Sequence, residues 1–120
     1  MKCVYVIGTC DTKAEDLSYV ANCVREVGVK ALVIDVSARF HAVGSDISYV
    51  EVASYHPTDP NFLQHTPDRS TAISLMSEAL TQFLLQSTEM AGVIGIGGSG
   101  NTALITSAMQ KLPIGLPKLM

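Results

Sequence analysis

Two glycine-bearing segments carry the residue types that bind anions. Gly95-Ile96-Gly97-Gly98-Ser99-Gly100-Asn101-Thr102 follows an apolar run and opens a segment of helical period. Glycine lets backbone approach a ligand closely. The free N–H groups and the dipole at a helix start favour phosphate or carboxylate, and Ser99, Asn101 and Thr102 supply side-chain donors. A plain strand-to-helix turn needs one or two glycines, whereas residues 95–100 hold four. The string fits G-x-G-x-x-G, but no acidic residue follows Glu89. The dinucleotide fingerprint wants one about 20 residues on, and it follows a first strand rather than a third. No Gly-Lys-Ser/Thr closes the loop as in a Walker A motif.

The second segment is Gly8-Thr9-Cys10-Asp11-Thr12-Lys13. Its backbone amides, the Thr9 and Thr12 hydroxyls and the Lys13 ammonium are expected to face one anion, with Asp11 placing a magnesium ion against phosphates. The plainer alternative is that Asp11 or Thr12 caps a helix and Lys13 is solvated. A lysine in a first helical turn opposes the dipole, which favours a functional reason. Asp35 ends a strand, where acids in doubly wound folds bind ribose hydroxyls; it could equally cap a turn. Other chemistries find little support. Cys10 near a helix start reads as a packed thiol, and His56, His65 and Asp59 have no standard metal spacing. There is no G-x-S-x-G or H-E-x-x-H, and the acidic pair and phospho-acceptor of a response-regulator receiver are absent.

These loops need strands and helices to hold them. Residues 3–7, 31–36 and 92–96 are short apolar runs rich in Val and Ile, as in strands buried on both faces of a parallel sheet. Residues 12–28 have helical period, and Thr12 with Glu15 fits a capping box that starts the helix just after Asp11. Residues 69–87 form a second helix with Asp68 as N-cap, and residues 101–111 a third. Residues 37–67, with three histidines and three prolines, read as a long excursion holding one short helical turn near 48–54. The expected fold is a three-layer, doubly wound α/β domain, Rossmann- or flavodoxin-like, with strand order 2-1-3-4. The fourth strand, 116–120, stops where the chain stops, so the sheet is expected to be completed by a second lobe or by association. In that order the first and third strands are neighbours, and the crevice at their carboxyl ends is the expected binding site.

Composition narrows the partners. The chain has 120 residues, 48% apolar and only 16% charged, with formal net charge −3. One domain is the expectation. Eight scattered basic residues make neither a nucleic-acid nor an anionic-membrane surface, and no apolar run approaches the roughly 20 residues of a membrane-spanning helix. Three cysteines, an odd count, fit reduced thiols in the cytoplasm. So weakly charged a surface fits a homo-oligomer or a lobe covered by another.

Four stretches resemble one family in order and spacing. They are Ile7-Gly8-Thr9-Cys10-Asp11-Thr12-Lys13, Leu32-Val33-Ile34-Asp35-Val36, Gly95 through Leu104, and Leu112-Pro113-Ile114-Gly115-Leu116-Pro117-Lys118-Leu119-Met120. Together they resemble the ATP-binding domain family of the tomato mosaic virus resistance protein, over essentially the whole chain. That resemblance implies a Rossmann-like lobe that binds ATP, followed by a second lobe. Cys10 stands where the family usually has an apolar residue, and Asn101 where it often has Gly. The resulting expectation is a nucleotide-binding domain with phosphates held by the glycine-rich loops. No general base for hydrolysis is evident. One alternative is the N-terminal lobe of an enzyme acting on a phosphorylated or carboxylated small molecule, with catalytic groups in the second lobe. Another is an assembly domain without ligand.

Overall fold

The computed structural model describes residues 2–39, 44–66 and 68–120, and for Ser99 and Gly100 the backbone alone. His41 and Pro67 of the excursion lie outside the described residues. Four parallel strands, β1 (Cys3–Gly8), β2 (Ala31–Asp35), β3 (Met90–Gly95) and β4 (Lys118–Leu119), form one sheet in the order β2-β1-β3-β4. Helix α1 (Cys10–Glu26) covers one face; α2 (Tyr49–Ala53), α3 (Arg69–Leu85) and α4 (Ser99–Met109) cover the other. The expected doubly wound α/β architecture and strand order are therefore present.

Side-chain alternation explains the continuous apolar runs. Along β1, Val6 points to Leu17 and Ala21 of α1, while Tyr5 and Ile7 join Met76, Leu80, Ile105 and Val93 on the opposite face. A strand buried on both faces has no polar position to alternate with. The described residues of the 37–67 stretch hold more regular structure than a plain excursion. Ile47 bridges to Ile34 at the edge of β2, and Ser48 caps α2 by accepting from the Glu51 N–H. A 3₁₀ turn at Phe62–Gln64 plants Phe62, fully buried, in the core beside α3.

Helix α1 departs from the expected start. It begins at Cys10, not after Asp11, and Lys13 interrupts it with non-helical φ −124°, ψ 21°. The Thr12–Glu15 capping box is not what caps it. The Thr9 carbonyl accepts from the Thr12 and Lys13 N–H groups, while Asp35 and Ser37 accept from those of Cys10 and Asp11. The first-turn donors are thus met from the end of β2, so no local cap is required. Helix α4 likewise begins at Ser99 rather than 101, and β4 has two residues rather than five. Helix α3 starts behind Asp68 as expected, its carboxylate accepting from the Thr71 N–H at 3.0 Å. Among the described residues no helix is long and apolar enough to cross a membrane.

Candidate functional site

β1 and β3 pair with Ile7 opposite Gly95, and their following helices leave to opposite faces of the sheet. The two loops therefore meet above the carboxyl ends of adjacent strands. Asn101, in the first turn of α4, donates from Nδ2 to Thr9 Oγ1 at 3.2 Å. Thr9 Oγ1 lies 3.0 Å from Thr12 Oγ1. This polar chain ties the glycine-rich loop to the β1–α1 loop, as the strand order requires.

Two of the glycines answer to packing. A Cβ on Gly8 would lie 2.8 Å from Leu17 Cδ2 and 2.9 Å from the Ile96 carbonyl oxygen. On Gly97 it would lie 2.9 Å from the Thr102 nitrogen, inside the turn itself. Gly98 differs: its φ is −87° and a Cβ there would meet nothing within 4 Å. The Thr102 hydroxyl donates back to the Gly98 and Gly97 carbonyls at 2.7 and 3.1 Å, closing the first turn of α4.

Asp35 lies beneath the β1–α1 loop, fully buried. Its Oδ1 accepts from the Cys10 N–H at 3.1 Å, the Ser37 N–H at 3.0 Å and the Ser37 hydroxyl at 2.6 Å. That hydroxyl is also 3.2 Å from Asp11 Oδ1. Asp11 Oδ2 accepts from Arg39 Nε at 2.7 Å, with the carboxylate 8% and the guanidinium side chain 61% exposed. Burial, with Asp35 and Asp11 nearby, pushes the Cys10 thiol up to about 12, so at neutral pH it is no nucleophile. In the excursion, His56 Nδ1 accepts from the Thr58 and Asp59 N–H groups and Nε2 lies 2.6 Å from Glu78. His56 is thereby a brace between the excursion and α3.

A cavity of about 430 Å³ opens beside the Thr9–Asn101 link. Thr9 and Asn101 line it with the apolar Leu63, Ala72 and Ile73, and Arg39 and Arg69 set two positive charges against the Asp11 and Asp68 carboxylates. Of the residues singled out from sequence, Thr9, Asp11 and Asn101 line it. Gly8, Thr12, Gly97, Gly98 and Thr102 belong to the two loops beside it, and Asp35 supports them from below. Lys13 stands at the kink of α1, away from the lining. Arg39 and Arg69 were not legible as site residues because neither belongs to a motif. The one signal was Arg69 directly after the Asp68 cap, a cation at the positive end of a helix.

Residues 2–120 match the family model described as the N-terminal domain of an uncharacterised protein family, UPF0261. A UPF0261 protein of Rhizobium meliloti is 46% identical over the whole chain, which spans 30% of that protein. One from Clostridium tetani is 32% identical over 99% of the chain and 30% of its own length. The ToMV resistance protein Tm-1 of Solanum lycopersicum is 38% identical over 98% of the chain and 18% of its own length. The chain belongs to the UPF0261 family, matching its N-terminal domain.

Proposed function

We propose that the chain is a nucleotide-binding domain that takes ATP in the cavity at the ends of β1 and β3. The observation that carries this reading is the Thr9–Asn101 link, which joins two glycine-bearing loops beside a cavity lined by both polar and apolar side chains. The first N–H groups of α4 are suited to phosphate, and Leu63, Ala72 and Ile73 to a base. In this reading Thr9 and Asn101 orient the ligand. Gly98, Ser99 and Gly100 let it approach the backbone, and Asp35 acts through the loop it supports rather than on a ribose. Lys13 adds only a distant charge.

Magnesium fits Asp11 poorly. Mg²⁺ is usually held by one or two carboxylates together with substrate phosphates. Both oxygens of Asp11 already face partners, Arg39 Nε and the Ser37 hydroxyl. Among the described residues no group of three His, Cys, Asp or Glu is placed to hold a metal. Magnesium then enters as the counter-ion of the nucleotide.

Since the chain spans 30% or less of the relatives described above, any catalytic step would draw on the rest of such a protein. The same cavity would then hold a phosphorylated or carboxylated substrate of a two-lobed enzyme. Leu119, 64% exposed beside the half-buried Ile94, offers that lobe or a second copy an apolar contact.

The test is calorimetric titration of the chain and of Gly98→Val with ATP and magnesium. The fold has room for a side chain at 98, so the variant keeps its structure and reports ligand approach. Micromolar affinity corresponds to about −8 kcal/mol. Saturable binding that weakens at least tenfold in the variant supports the proposal. No heat at millimolar ATP, or equal binding by the variant, overturns it.

A further inference from the structure

The positive charge facing the cavity comes from neither glycine-bearing loop. We propose that Arg39 and Arg69 form a two-guanidinium clamp for the phosphates of the ligand, that Asp11 positions Arg39 within it, and that phosphate binding is therefore independent of divalent metal. This rests on reading the cavity as a nucleotide site.

Arg69 lines the cavity as the first residue of α3. A cation there opposes the helix dipole, and the side chain makes no ion pair or hydrogen bond among the described residues. One oxygen of the neighbouring carboxylate is already engaged: Asp68 Oδ2 accepts from the Thr71 N–H, the Thr71 hydroxyl and the Ser70 hydroxyl. Its five N–H donors thus have no protein acceptor among the described residues, on a side chain that lines the cavity. An anion in the cavity supplies both the missing acceptors and the missing charge.

Arg39 is placed differently. Its Nε is held by Asp11 at 2.7 Å, and its two terminal nitrogens have no acceptor among the described residues. A guanidinium fixed through Nε presents a fork that matches two phosphate oxygens. Asp11, its side chain 8% exposed, is itself held by Ser37, whose Oγ accepts from the Asp11 N–H and lies 3.2 Å from Oδ1. The chain Asp35–Ser37–Asp11–Arg39 therefore runs from the buried end of β2 to the cavity wall. In this arrangement Asp11 compensates an arginine, the role opposite to holding a metal. Lys13 lines no part of the cavity.

The chain is titrated with ATP in EDTA, with ATP and magnesium, and with sodium tripolyphosphate in EDTA. Arg69→Gln, Arg39→Lys and Lys13→Gln are titrated alongside. Both arginines are exposed, so the variants keep the fold, checked by an unchanged urea midpoint. The expected result is ATP affinity within about threefold with and without magnesium. Arg69→Gln and Arg39→Lys should each weaken ATP and tripolyphosphate about 10- to 100-fold, the range for hydrogen bonds to charged groups. Lys13→Gln should change affinity less than about threefold. Arg39→Lys keeps the charge and loses the fork, so its defect reports geometry rather than net charge. A requirement for magnesium beyond about tenfold, or arginine variants that bind like the parent, overturns the clamp. If ATP binding is lost in Gly98→Val but untouched in both arginine variants, the clamp fails and the nucleotide reading stands. If tripolyphosphate binds, is lost in Arg69→Gln, and ATP binds no tighter, the clamp stands and the nucleotide reading fails. If neither ligand binds, both fall.

Discussion

Replacing Asp35 with alanine should cost this fold more than any other single polar substitution at the site. The carboxylate is fully buried, and its Oδ1 accepts from the Cys10 N–H, the Ser37 N–H and the Ser37 hydroxyl. Cys10 and Ser37 are themselves buried, so the alanine variant leaves two backbone donors with neither acceptor nor water. Each such loss costs about 1–3 kcal/mol, giving about 2–6 kcal/mol together. A domain of this size is stable by about 5–15 kcal/mol, so the variant is folded but marginal. Asp35→Asn keeps an acceptor at Oδ1 and loses only the charge assistance, for about 1–2 kcal/mol. Urea unfolding followed by circular dichroism reads both. An alanine variant within 1 kcal/mol of the parent would show that the β1–α1 loop does not depend on β2 for its donors. An asparagine variant as damaged as alanine would mean that charge, not hydrogen-bond acceptance, is what the site requires.

Two further outcomes follow from the titrating groups. Iodoacetamide at pH 8 should modify Cys23, which is exposed, and leave Cys10, buried with its thiol pushed up to about 12, unmodified in the native chain; peptide mass spectrometry showing comparable rates would contradict the burial argument. The Thr71 and Ser70 hydroxyls and the Thr71 N–H hold the Asp68 carboxyl below its ordinary range. Its folded pKa is depressed, so its cap stabilises above the ordinary carboxylate range and is lost as pH falls through the folded value. The Tm difference between parent and Asp68→Asn should be constant near neutrality and shrink below about pH 4; a difference that widens in acid would reverse the sign of the argument.

The fold was legible because its signals are local. Val-rich runs bounded by Gly8 and Gly95, the helical stripe of 69–87 and the Asp68 cap all act within a few residues of themselves. What the sequence hid is carried by contacts distant along the chain. Helix α1 starts at Cys10 because Asp35 and Ser37, 25 and 26 residues away, meet its first donors; the local Thr12–Glu15 pattern had no way to register that competition. Phe62, in a polar and proline-bearing stretch, reads as loop until α3 is seen to provide its socket. The cavity followed the same rule. Thr9 and Asn101 were identifiable from their loops, while Arg39 and Arg69 line the same cavity from outside either loop.

That division bears on why the glycine-rich segment fits no standard phosphate motif. In a Walker loop the same few residues provide both the backbone cradle and the lysine. In the proposed site the loop would provide backbone and the Asn101 amide but no cation, and part of its glycine content is already explained by the tight turn at Gly97. Within this segment Gly98 is required by neither a clash nor its φ, and it lies at the α4 N-terminus. Positive charge would come instead from residues that follow β2 and that open α3. A site assembled from a neutral cradle and remote guanidiniums leaves no compact string to recognise. If the cavity takes a nucleotide, substitutions at Arg39 or Leu63, which line it, should alter what is bound while the β1 and β3 loops keep their shape.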